Sequence, residues 1–179
     1  MPDGTSKPDA AFTTPQKMNG QDYTMKKLVS ASLLTALLGA GSFATAQEIK
    51  REGEGKLFYT TIEIPAGAET LYLSGSGASP EEDGSWGDME AQAIDTLEKF
   101  KKTLESRGWS MSDVVQVRVF AVAGEDGELD FAGFNRGYMQ FFGTGENPTK
   151  PVRSFVQVAD LVVDGWLLEI EVRAARMPK

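Results

Sequence analysis

The chain of 179 residues contains neither cysteine nor histidine. Without cysteine it has no disulfide framework, no thiolate nucleophile and no thiolate metal ligand. Without histidine it lacks the usual general base at neutral pH and the commonest metal ligand, and it cannot form a Ser-His or Cys-His pair. Any catalysis must therefore use carboxylates, arginine, lysine, tyrosine, hydroxyl groups, backbone groups and water. We expect no bound metal and no cofactor.

Basic residues are scarce relative to acidic ones, above all after residue 46. Residues 47–179 hold 14 of the 18 Lys and Arg residues and 23 of the 26 Asp and Glu residues, a net charge of −9. A surface of this sign repels phosphate backbones. We therefore predict that the protein does not bind nucleic acid.

Long apolar runs are absent apart from one segment near the amino end. Lys26 and Lys27 precede the mainly apolar residues 28–38, and the small residues 44–46 follow at a short distance. This order is typical of a secretory signal peptide. A transmembrane anchor or a buried core helix is the alternative, but a bilayer span needs roughly 20 apolar residues. We therefore favour the signal peptide.

The chain is accordingly predicted to have three parts. Residues 1–24 are polar and form an upstream extension that is either not native or disordered, and residues 25–46 form the signal peptide. Residues 47–179 form the working domain, which is long enough for one hydrophobic core. We expect this domain to be periplasmic or secreted, with no stable membrane insertion after the signal is cleaved.

Five strands and two helices are predicted in the working domain, after a charged lead-in at 47–55. The first two strands are predicted to form a hairpin, and helical spacing of apolar residues marks both helices. The segments are strands 56–64, 69–74, 114–123, 152–159 and 166–174, and helices 89–107 and 128–142. The order ββ-α-β-α-ββ predicts a two-layer α+β sandwich with both helices on one face of a mixed sheet.

The last two strands each carry two different faces, because side chains alternate along a strand. We predict that one set packs against the helices: Val152, Val156, Val158, Leu168, Ile170 and Val172. The other set is expected on the opposite face, at a subunit interface: Arg153, Phe155, Gln157, Glu169, Glu171 and Arg173.

Four segments of the working domain resemble the Rid family, the reactive intermediate deaminases also called YjgF-type or endoribonuclease L-PSP proteins. They follow one another in the family's order and spacing. The segments are LYLSG at 71–75, GDMEAQAIDTLEKFKKTLESRGWSMSDVVQVRVF at 87–120, FAGFNRGYMQFFG at 131–143 and PVRSFVQVADLVVDGWLLEIEVRAA at 151–175. The resemblance implies a chorismate-mutase-like fold, assembled as a homotrimer with ligand clefts between subunits. It also implies hydrolysis of enamines and 2-imino acids to 2-oxo acids and ammonia.

The resemblance further implies roles for individual residues. Arg153 matches the arginine that binds the substrate carboxylate, and Glu169 matches the glutamate that positions water. The remaining matches are substrate-lining residues: Ser74, Gly75, Asn135 and Tyr59. Phe155 departs from the family by adding bulk near the cleft, which leaves the size and identity of the substrate open.

Arg153 and Glu169 constrain how the last two strands can be arranged. A tight hairpin at Asp164 and Gly165 would separate the two side chains by more than about 20 Å, at about 3.3 Å per residue. Either the two strands are not neighbours, or the two side chains meet across subunits.

Two other functions remain open from the sequence. A non-catalytic trimer that binds small carboxylates, or a holdase, would use the same cleft or its apolar rim. An endoribonuclease is suggested only by one name of the family, and the net charge and the missing histidine oppose it.

Overall fold

The computed structural model describes residues 47–179, so the predicted upstream extension at 1–24 and signal peptide at 25–46 lie outside the described residues. Within this range the chain forms six strands and two α-helices. They are β1 Lys50–Glu54, β2 Tyr59–Glu63, β3 Glu69–Ser76, α1 Met89–Ser106, β4 Val114–Ala121, α2 Phe131–Tyr138, β5 Val152–Gln157 and β6 Leu168–Arg176. No described helix has the length and apolar character that a membrane crossing requires.

The main sheet has the strand order β3-β6-β4-β5. β4 and β5 are parallel, whereas β6 is antiparallel to both β3 and β4. Both helices contribute to the core on one face of this sheet. The predicted two-layer α+β sandwich with a mixed sheet is therefore confirmed. β4 lies between β5 and β6, so the last two strands are not hairpin neighbours.

A hairpin of β1 and β2 forms a separate two-stranded sheet. Residues 50–54, predicted as a loose lead-in, pair antiparallel with β2, so that Lys50 lies opposite Glu63. The predicted hairpin of segments 56–64 and 69–74, which correspond to β2 and β3, is wrong, because β3 pairs with β6 instead. The sequence of β1 lacks the apolar alternation that indicates a strand, because both faces of the small sheet are largely exposed and its side chains are mostly charged.

The helices begin where acidic side chains cap them. The Asp88 carboxylate accepts a hydrogen bond of 2.8 Å from the Ala91 backbone N–H at the start of α1, and Asp130 does the same for Gly133 at 2.7 Å in α2. Such caps satisfy backbone donors that have no partner inside the helix. The Asp130 cap starts α2 three residues later than the predicted 128–142, and the helix ends early, at Tyr138.

The two faces of β6 follow the prediction, but those of β5 do not. Leu168, Ile170 and Val172 are at most 1% exposed beneath the helices. On β5, Arg153 and Phe155 align with Val117 and Val119 of β4, which are core residues. Arg153, Phe155 and Gln157 therefore share the helix face, while Val152 and Val156 lie on the opposite, open face.

The error on β5 has a physical cause. β5 is an edge strand, and the part of the helix layer above it is the aromatic side of α2. Phe155 packs there against Phe131 and Phe134, with ring centroids 4.8 and 4.9 Å away. Aromatic rings bury more apolar area than valines do. The prediction that Val152 and Val156 face the helices is therefore wrong, and Phe155 is half-buried there instead.

The long loop between β3 and α1 is held against the start of β6. Gln92, which is 1% exposed, donates a hydrogen bond to the Gly165 carbonyl at 3.0 Å and accepts one from the Leu167 N–H at 2.8 Å. The Trp166 indole N–H donates to the Ala78 carbonyl at 2.9 Å. These bonds fix the loop after β3 and the start of α1 relative to the segment before β6. Three of the predicted site residues lie at the adjoining ends of β3 and β6: Ser74, Gly75 and Glu169.

Candidate functional site

Arg153 lies half-buried on the helix face of β5, beside α2. Its guanidinium carbon is surrounded by four aromatic rings. The distances to the ring centroids are 4.6 Å for Tyr138, 5.3 Å for Phe134, 5.4 Å for Phe58 and 5.8 Å for Phe131. Aromatic faces attract a cation over such distances, so they stabilise the guanidinium without neutralising it.

Asn135 is the polar partner of Arg153. The Arg153 Nη1 donates a hydrogen bond of 2.9 Å to the Asn135 side-chain oxygen. Within residues 47–179 Arg153 forms no ion pair, and burial lowers the pKa of its guanidinium below the usual value. A half-buried guanidinium without a carboxylate has unused donors that match a carboxylate ligand.

Tyr138 binds the turn between β1 and β2 at the edge of this pocket. Its fully buried hydroxyl donates a hydrogen bond of 3.0 Å to the Leu57 carbonyl, and burial raises the pKa of the phenol above its usual value. The phenol therefore stays neutral and keeps its donor. Because Phe58 follows Leu57 directly, this bond fixes the ring that borders Arg153.

Sequence reasoning missed the aromatic residues of this pocket. The helical spacing of Phe131, Phe134 and Tyr138 predicts core residues, which Phe134 and Tyr138 are, but it does not indicate that they also border Arg153. The available signal was the spacing of Asn135 on α2, which is four residues after Phe131 and three before Tyr138. Residues three and four apart lie on one side of a helix, so the aromatics had to accompany Asn135.

A second group of predicted residues lies at the junction of β3 and β6. The pairing of these strands is irregular between Leu73 and Ser76, so Ser74 and Gly75 form a bulge. The Glu169 carboxylate lies directly against Gly75, so any other residue at position 75 would force this carboxylate to move. The bulge therefore brings the backbone of Gly75 next to Glu169.

Glu169 also borders a recess on the open face. The recess has a volume of about 320 Å³ and is lined by apolar and acidic side chains: Phe120, Val158, Asp160, Leu161, Val162, Glu169 and Glu171. Among the described residues, no group of three or more acidic side chains is arranged to hold a metal ion.

Tyr59 is the first residue of β2 and lies next to the start of β5. Its backbone N–H donates to the Pro151 carbonyl at 3.3 Å, and the Lys150 ammonium lies 5.9 Å from its ring. The aromatic that contacts Arg153 from this segment is the neighbouring residue, Phe58. The substrate-lining role of Tyr59 stays a prediction.

The structure brings the predicted residues together as two groups on opposite faces of the sheet. Arg153 aligns with Val117 on the helix face, whereas Glu169 aligns with Phe120 on the open face. The expectation that both lie on the face away from the helices is therefore wrong for Arg153. Within one chain the sheet separates the two groups. Arg153 and Glu169 can therefore share a cleft only if they come from different subunits.

Comparison with known proteins gives consistent matches. Residues 60–176 match the model of a family described as endoribonuclease L-PSP. A RutC family protein of Haemophilus influenzae is 36% identical over 123 residues, which cover 68% of this chain and 81% of the relative. A 2-iminobutanoate/2-iminopropanoate deaminase of Salmonella typhimurium is 37% identical with the same coverage.

Solved structures of similar proteins share the fold. The YjgF gene product of Escherichia coli is 32% identical with a TM-score of 0.51, covering 63% of this chain and 84% of that one. The Rid-family protein YyfB of Yersinia pestis is 26% identical with a TM-score of 0.52, covering 65% and 85%. The stretch matched by the family model contains Gly75, Asn135, Arg153 and Glu169.

Proposed function

This chain belongs to the endoribonuclease L-PSP family, which includes the Rid and YjgF proteins, and from that premise we propose that it is a hydrolase. Its proposed substrates are 2-imino acids and their enamine tautomers, and its products are 2-oxo acids and ammonia. The observation that carries the proposal is Arg153, a half-buried guanidinium with no carboxylate partner among the described residues.

Arg153 binds the substrate carboxylate in this proposal. The guanidinium can donate two parallel hydrogen bonds to a carboxylate, which fixes the orientation of the bound acid as well as its position. Asn135 holds the guanidinium from the side of α2. The surrounding rings keep water away from the ion pair and so strengthen it, since charges attract more strongly at low dielectric.

Besides Arg153, which binds the substrate carboxylate, hydrolysis needs only water and a proton acceptor. Water adds to C2 of the imine, Glu169 accepts a proton from it, and this proton passes to the nitrogen, which gives a carbinolamine. The proton of the carbinolamine hydroxyl then passes to the nitrogen as the C–N bond breaks and the C=O bond forms, and ammonia leaves. One imino acid and one water thus give one 2-oxo acid and one ammonia. A positioned carboxylate is a sufficient general base, so the absence of histidine is no obstacle.

A homotrimer with clefts between subunits completes the proposal. Arg153 and Glu169 lie on opposite faces of one sheet. A substrate bound by Arg153 of one subunit must therefore react with water held by Glu169 of the partner subunit. The open face also exposes apolar side chains, with Tyr72 66% and Ile64 42% exposed beside a recess of about 220 Å³. Light scattering that gives a monomer at micromolar concentration would refute the assembly.

Turnover is tested by forming the imine in place. We expect the full chain to accelerate the loss of 2-iminopropanoate that D-amino-acid oxidase makes from D-alanine. Semicarbazide traps the remaining imine, so the protein should lower the initial rate of semicarbazone formation. A rate that micromolar protein leaves unchanged would contradict the proposed reaction.

We also propose that residues 25–46 direct export to the periplasm or the medium. The support is the charged, apolar and small-residue order of that segment. Expressed in a Gram-negative bacterium, the protein is expected outside the cytoplasm, with Gln47 as its first residue by mass spectrometry. A cytoplasmic protein that retains residues 25–46 would contradict export.

A further inference from the structure

The rim of the Arg153 pocket is apolar and exposed. Phe58 and Phe131, whose rings border the guanidinium, are 41% and 44% exposed. Met139, which is 40% exposed, lies just past the end of α2, four residues after Asn135. Single exposed apolar residues are common on proteins. Here, however, two exposed rings border the same half-buried guanidinium, which has no carboxylate partner among the described residues.

The rim is also held in place from beneath. The Phe131 ring packs edge-on against Phe155, with centroids 4.8 Å apart, and Phe155 in turn contacts the fully buried Phe134 at 4.9 Å. On the other side, the bond from Tyr138 to Leu57 fixes the segment that carries Phe58. A ligand that covers these rings therefore gains apolar contact without ordering flexible side chains.

We propose that this pocket selects 2-imino acids with an aromatic side chain, an inference that rests on the proposed deaminase function. The carboxylate binds Arg153, and a single methylene joins C2 to a ring that reaches Phe58 and Phe131. Offset or edge-on contacts between aromatic rings add to the gain from burying apolar area. The methyl group of 2-iminopropanoate covers neither ring. The reaction is unchanged: 2-imino-3-phenylpropanoate and water give phenylpyruvate and ammonia.

The stable products serve as binding probes for the full chain. Isothermal titration calorimetry is expected to show that phenylpyruvate binds at least about tenfold more tightly than pyruvate, because burial of a phenyl ring contributes that much or more. The variants Phe58→Ala and Phe131→Ala should each lower this ratio severalfold, and Phe131→Leu should lower it less. Glu105→Ala removes an exposed side chain near the end of α1, outside the pocket and the open face, and should leave the ratio unchanged.

A second arm separates this inference from the proposed reaction. D-Phenylalanine and D-alanine give the two imines with the same oxidase, and kcat/KM is expected to favour the phenyl compound. If neither imine is hydrolysed but the binding ratio holds and depends on Phe131, the ligand class stands and the reaction fails. A binding ratio near one overturns the inference, whether or not turnover is seen, and so does failure of both acids to bind.

Discussion

Replacement of Arg153 by alanine is expected to lower kcat/KM for imine hydrolysis by about 10²–10³-fold, since loss of one partner from a desolvated charge pair costs about 3–4 kcal/mol. The effect should include a higher KM, because the same contact holds the substrate in the ground state. Binding of phenylpyruvate, measured by titration calorimetry, should weaken in parallel. Arg153→Lys should not restore full activity, because an ammonium cannot form the paired hydrogen bonds of a guanidinium.

The stability of an Arg153→Met variant distinguishes a binding role from a structural one. Methionine fills a similar path between the four rings without a half-buried charge that lacks a carboxylate partner. We expect the free energy of unfolding to stay the same or rise by about 1 kcal/mol, as measured by chemical denaturation, while activity is lost. A loss of stability together with unchanged activity would assign Arg153 to the framework of the fold instead.

Arg136 provides a matched control on α2. It immediately follows Asn135, but it is exposed and already paired with Glu90 and Asp130. Arg136→Ala removes an equal charge from the same helix and should change kcat/KM by less than about twofold, since exposed ion pairs contribute about 0–1 kcal/mol. An equal loss in the Arg136 and Arg153 variants would show that overall charge, and not the Arg153 contact, governs activity.

Mixed oligomers of two inactive variants are expected to regain activity. Arg153→Ala and Glu169→Gln each disable every cleft of a homotrimer. Every trimer that contains both variants has about one cleft in three in which an intact Arg153 of one subunit faces an intact Glu169 of the next. Co-expressed chains with two different tags, purified through both so that trimers of a single variant are removed, should therefore recover about a third of wild-type kcat.

The control for this experiment lacks Arg153 in both chains. Arg153→Ala combined with the double variant Arg153→Ala/Glu169→Gln contains no intact cleft in any arrangement, so it should stay inactive. If the doubly tagged oligomers of the first mixture are also inactive, Glu169 does not act on a substrate bound by the neighbouring Arg153. Recovery in the control would show that Arg153 is dispensable.

The predictable part of the site was the identity of its polar residues. The motifs around Asn135, Arg153 and Glu169 stand in unbroken segments of the sequence, and the helix cap at Asp130 places Asn135 on α2. Contact between Asn135 and Arg153 could not be read from spacing, because it joins a helix to a strand 18 residues away. The same holds for Phe58, which reaches the pocket from a different part of the chain.

Local patterns predicted both helices, every strand except β1, the buried face of β6 and the residue types available for catalysis, and the resemblance of four segments indicated the family. Alternation of apolar and polar side chains settles the buried face when only one face is apolar, as on β6. On β5 both faces carry apolar residues, so only the aromatic side of α2 above it decided that Arg153 and Phe155 turn inward. The tertiary structure alone therefore placed Arg153 and Glu169 on opposite faces, because strand order and edge position depend on contacts between distant segments.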